Sequence, residues 1–145
     1  MIIFEKAIRG VSRPELSRFV RRAQELAGVG GPVDILIAGN GRLQELNRRF
    51  RGKNAPTDVL SFPRTSGGDI AISAEIARQN AGLYGNSQLA ELKILILHGM
   101  LHLAGHDHEG DGGRMARLEA RLRAQLKLPC SLISRAQGTR PRSLR

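Results

Sequence analysis

The 145-residue chain contains one cysteine, Cys130, one tyrosine and no tryptophan. A single cysteine cannot close an internal disulfide, so packing must hold the fold, and this usage fits a reducing cytosol. Cys130 lies in LKLPCSLIS without a base beside it, which makes it an ordinary free thiol rather than a nucleophile. Aromatic residues amount to 3% of the chain, too few for a platform on which unpaired bases stack. Acids are also scarce: 13 Asp+Glu stand against 23 Lys+Arg, for a formal net charge of +10. No long apolar run exists. The most apolar stretch, residues 89–103, includes Glu91, Lys93 and two histidines and falls short of a membrane span. The opening MIIFEKAIRG interrupts its apolar residues with charge at once and lacks a secretory pattern. A cytoplasmic protein without a membrane role is therefore expected.

What is present describes an ordinary globular chain. Hydrophobic residues make up 41% and charged residues 25%, and the length suits one domain with a real core. The cationic excess favours polyanions, because neutralising phosphates releases condensed counterions. Ile2, Ile3 and Phe4 read as a strand, and Pro14 suits the first turn of a helix preceded by Ser12 or Arg13. That helix buries Leu16, Phe19, Val20, Ala23 and Leu26 at helical spacing and stops at Gly28. Residues 33–37 read as a strand, and residues 41–50 as a helix with Leu43, Leu46 and Phe50 inward. Two further strands are expected at 57–62 and 69–73. Ser73 and Ser87 are placed to cap the helices that follow them.

The helix running to about Ala104 is apolar over most of its surface and is expected at the domain centre. Gly105 is placed to end it in a left-handed conformation. A last helix, about 113–127, carries Met115, Leu118, Leu122 and Leu126, and Pro129 closes it. The expected fold is α+β: a single mixed β-sheet of about four strands packed with helices, around that buried central helix. Residues 1–128 would form one domain. Residues 129–145 would be a basic tail, expected to be disordered, with Arg135, Arg140, Arg142 and Arg145 and no acid.

All four histidines of the chain fall within residues 98–108, HGMLHLAGHDH. His98 and His102 are four apart on a predicted helix, so both imidazoles project from one face. A turn at Gly105 can return His108 to the same point from a loop. Three imidazoles at about 2.0–2.1 Å occupy three corners of a tetrahedron around one zinc ion and leave the fourth open, as catalytic sites do. Nickel, copper and iron accept the same ligands. Two alternatives stay open: a closed structural site completed by His106 or Asp107, and Asp107 or Asp111 orienting a ligand from the outer shell. Zinc peptidases with a helical His-x-x-x-His pair place a glutamate base directly after the first histidine. Here that position is Gly99, which argues against peptide hydrolysis. The metal can still lower the pKa of a bound water to about 7.

HGMLHLAGHDH resembles the signature of the YbeY-type endoribonucleases. NRRFRGKNAPTDVLSFP, residues 47–63, resembles the family's second block, and GDIAIS, residues 68–73, its third. The resemblance spans roughly residues 43–111. It implies a metal-dependent endoribonuclease acting on single-stranded RNA, in ribosomal RNA processing that includes the 3′ end of 16S rRNA, and in ribosome quality control. Ribosomal particles, and ribosomal or assembly proteins, are the implied partners; DNA is not. The resemblance also implies His98, His102 and His108 as metal ligands and Arg51 as a functional arginine. A guanidinium there can clamp a phosphate oxygen, while Arg48, Arg49 and Lys53 would concentrate phosphate nearby. Two rivals stand beside this reading. One is a ribosome-assembly factor whose zinc is structural, and the other is a zinc hydrolase of another substrate.

Overall fold

The computed structural model describes residues 1–107 and 110–129. The expected basic tail and His108 fall outside these residues. Among the described residues the chain forms β1 (Ile2–Phe4), α1 (Arg13–Ala27), β2 (Val33–Ala38), α2 (Asn40–Arg51), β3 (Val59–Pro63), β4 (Gly68–Ser73), α3 (Ala74–Tyr84), α4 (Gln88–Leu103) and α5 (Arg114–Gln125). The strands make one sheet in the order β1-β2-β4-β3. β1 and β4 each pair parallel to β2, while β3 returns antiparallel along β4. The fold is the expected α+β with a mixed sheet. No helix of the described residues is long and apolar enough to cross a membrane.

Local chemistry accounts for the helix ends. Ser12, Ser73 and Ser87 each accept a hydrogen bond from a backbone N–H three residues on, at 3.3, 3.1 and 3.0 Å, which satisfies donors that the first helical turn leaves orphaned. Gly105 follows α4 with φ +95°, and the His106 amide donates to the Leu101 carbonyl at 3.0 Å. The chain therefore reverses where the sequence places the turn.

Alternation along the strands divides the core. Ile35, Ile37, Ile70 and Ile72 face α1 and α4 in the main core, whereas Ala38, Leu60 and Ala71 face α2 with Leu43. α4 lies over β3 and β4 with Leu92, Leu95, Ile96, Met100 and Leu101 fully buried. It approaches the strands most closely at Gly99. A Cβ built there would meet Ile70 Cγ2 at 2.8 Å and Ser61 Oγ at 3.1 Å. The residue is glycine because the sheet leaves no room for a side chain.

One expectation is corrected on α2. Phe50, read as part of the inward stripe, is 62% exposed and stands edge-on to Phe62 with centroids 5.3 Å apart. The buried position is Asn47. Its amide donates to the Ala55 carbonyl at 2.9 Å and ties the loop after α2 to the helix.

Candidate metal centre

The centre is built on the C-terminal half of α4. Successive helical turns place the His98 and His102 rings edge to face, with centroids 4.7 Å apart. Their Nε2 atoms approach to 3.1 Å. Two corners of a tetrahedron with metal–nitrogen bonds of about 2.0–2.1 Å are roughly 3.3 Å apart, so the pair already converges as two ligands of one ion would. His98 is buried at 8% exposure, and His102 is half-buried. His108, the expected third ligand, lies outside the described residues. Among those described, no group of three or more His, Cys, Asp or Glu side chains is arranged to hold a metal. The donor set of two convergent imidazole nitrogens fits zinc.

Gly99 now has a physical reading. In a zinc peptidase the glutamate after the first histidine must reach the open side of the site. In this chain position 99 points into the sheet, and a glutamate there would collide with Ile70 and Ser61.

Arg51 ends α2, where Gly52 adopts φ +70° and caps the helix. Its exposed guanidinium leans on the edge strand, Nη2 donating to the Ser61 carbonyl at 3.4 Å. The Ser61 hydroxyl in turn donates to the Gly99 carbonyl at 3.0 Å inside the protein. Arg51 is thus connected through one residue of β3 to the turn of α4 that carries His98. Arg48, Arg49 and Lys53 share the same exposed end of α2. Arg49 is drawn to Glu45 on its own helix at 3.9 Å, and none of the three is brought against the histidine pair by a hydrogen bond or ion pair described here.

Two acids near the site escaped the sequence reading. Glu119 on α5 is 2% exposed, and its Oε2 lies 2.8 Å from His98 Nδ1. Its signal was available: Met115, Leu118, Glu119 and Leu122 share one face of a helix, and an acid on an apolar stripe needs a partner. Asp58, just before β3, lies close enough to feel the charge of His98. Burial pushes its carboxyl above the usual range, against the opposing pull of His98, of nearby backbone amides and of Thr57. Asp111, considered as an outer-shell acceptor, has another task. It accepts the amides of Gly113 and Met115 at 2.9 and 2.8 Å, and these bonds, led by that of Met115, hold its carboxyl below the usual range.

Comparison with known proteins places the chain in a family. The family model described as Endoribonuclease YbeY matches residues 5–127. Endoribonuclease YbeY of Koribacter versatilis is 55% identical over 138 residues, covering 93% of this chain and 91% of that protein. Its counterpart in Solibacter usitatus is 50% identical over 139 residues, covering 94% and 95%. The solution structure of TM1509 from Thermotoga maritima superposes with a TM-score of 0.53 at 27% identity, covering 88% of this chain and 92% of that one. The chain belongs to the endoribonuclease YbeY family.

Proposed function

We propose that this member of the endoribonuclease YbeY family cleaves single-stranded RNA at a centre formed by His98, His102, His108 and Arg51. The convergence of the two Nε2 atoms at 3.1 Å carries this reading. His98, His102 and His108 would hold a zinc ion, which would supply Lewis-acid stabilisation of charge on phosphoryl oxygens. Arg51 clamps a non-bridging oxygen through its planar fork of donors, and its anchorage on Ser61 aims that fork from the strand beside α4. Arg48, Arg49 and Lys53 raise the local concentration of phosphate.

With few aromatic side chains, RNA is held mainly by charge, so affinity falls steeply with salt and base identity contributes little. Choice of cleavage site then comes from the particle on which the RNA is presented. We place the activity in the cytoplasm, in ribosomal RNA processing at the 3′ end of 16S rRNA and in ribosome quality control, with ribosomal or assembly proteins as partners. The test is metal analysis and RNA cleavage by the wild type, His102→Ala and Arg51→Ala. His102→Ala should lose metal and cleavage together, while Arg51→Ala keeps the metal and loses cleavage. Full activity in a metal-free His102→Ala protein defeats the proposal. Analysis of product ends tests the nucleophile: a 2′,3′-cyclic phosphate marks the substrate's 2′-hydroxyl and rules out water.

A further inference from the structure

The acid behind His98 has no part in the function proposed so far. Glu119 and His98 are both buried, at 2% and 8% exposure, and meet at 2.8 Å between Oε2 and Nδ1. A carboxylate in such a place is costly to desolvate unless a hydrogen bond compensates it. Its contact with one particular ring nitrogen has a chemical consequence. A carboxylate there accepts from an Nδ1–H, and in the neutral imidazole of that tautomer the lone pair lies on Nε2. Nε2 is the atom that faces His102 Nε2 at 3.1 Å. The two nitrogens lie on opposite sides of the ring, so Glu119 stands behind His98 and out of reach of an ion held between the histidines.

We infer that Glu119 is the positioning residue of the metal centre, holding His98 in the tautomer and ring orientation that aim its Nε2 lone pair at the point shared with His102. This rests on the metal reading proposed above. The chain order makes the arrangement economical. α5 is the helix that follows α4 in the chain, so the next element in sequence delivers the carboxylate that orients His98. Asp111, nearer in sequence, is not equivalent, since it is engaged with the first amides around α5.

The test uses the full-length protein, zinc-loaded and metal-free, with Glu119→Gln, Glu119→Ala and His102→Ala. Zinc affinity is measured by chelator competition. Imidazole ¹⁵N shifts in the metal-free protein report the His98 tautomer, and urea unfolding of that form reports stability. Wild-type His98 should carry its proton on Nδ1, with that preference lost in Glu119→Ala. Glu119→Gln keeps the shape and an acceptor oxygen but loses the charge. It should stay folded and bind zinc about 10–100-fold more weakly, as removal of an outer-shell acceptor does. If wild type binds zinc and His102→Ala does not, an unchanged affinity in Glu119→Gln overturns this inference and leaves the metal reading standing. Weakened binding matched by an equal loss of metal-free stability, with the His98 tautomer unmoved, overturns it too, because Glu119 is then merely structural. If wild-type protein takes up no zinc, the metal reading itself falls, and the inference with it.

Discussion

On one face of the sheet Ile35, Ile37, Ile70 and Ile72 lie at 0% exposure beneath α1 and α4. On the other, Leu36, Leu46 and Phe62 are only partly buried around α2. There a groove of about 500 Å³ remains open between Ile3, Leu46, Phe50 and the strands. The two layers carry different parts of the candidate site. The thick layer holds His98 and its carboxylate partner, whose use depends on atoms held in place by packing. The thin layer ends in a cluster of cations on an exposed helix terminus, suited to polyanions whose positions vary. Ser61 joins the layers, because its carbonyl accepts from Arg51 and its hydroxyl bonds to α4.

The contrast can be broken by matched truncations. Ile96→Ala, in the thick layer, should destabilise the protein by about 2–5 kcal/mol in urea unfolding. Leu46→Ala, beside the open groove, should cost clearly less, because water can reach the space it leaves. Equal losses would show that the layers are packed alike. The next effect is catalytic. Arg51→Ala should slow RNA cleavage by roughly 10²–10³-fold, the cost of one charge-stabilising donor, or about 2.7–4 kcal/mol on the barrier. Its folding free energy should stay within about 0.5 kcal/mol of wild type, as for other exposed substitutions. A large loss of stability would make Arg51 a strut between the layers instead of a phosphate ligand.

Gly99→Ala sharpens the comparison at the junction. The added methyl must displace Ile70 and Ser61, so about 1–3 kcal/mol of stability should be lost, as in other overpacked cores. A neutral result would mean that α4 can lift from the sheet without harm. Smaller effects belong to the thin layer. Replacing Arg48, Arg49 or Lys53 by alanine should each lower the slope of log affinity against log salt by about 1 if that residue neutralises a phosphate. An unchanged slope removes that residue from the interface.

Much of this arrangement was legible in the sequence. Ser12, Ser73 and Ser87 announce helix starts by a local rule, and α4 declares its burial by being apolar nearly all round. The spacing of His98 and His102 dictates their convergence because it depends on helix geometry alone. What was not legible depends on distant contacts. The insertion of β4 between β2 and β3 is a pairing that hydrophobic alternation does not specify. Phe50 follows the helical stripe but stays exposed beside the open groove between α2 and the strands. Glu119 was visible as an acid on an apolar face, yet its partner lies on another helix. The emptiness at Gly99 looked like a missing base and proved to be a packing requirement.

The smallest expected effect is in the thick layer, where an ion pair supplements the apolar packing of α1 on α4. Lys93 Nζ lies 2.9 Å from Glu15 Oε2, and that hydrogen bond, with the lysine charge, holds the Glu15 carboxyl below its ordinary value of 4.5. A carboxyl whose pKa is lower in the folded state stabilises the protein above its unfolded value, and the contribution disappears as pH falls through the folded value. Glu15→Gln should therefore lower stability slightly at neutral pH and make the decline below pH 4.5 shallower. Because the glutamate side chain is 44% exposed, salt should shrink the difference. Stability curves for the two proteins that run parallel from neutrality into acid would show the pair to be idle. The thick layer would then rest on apolar packing and on buried contacts such as His98–Glu119.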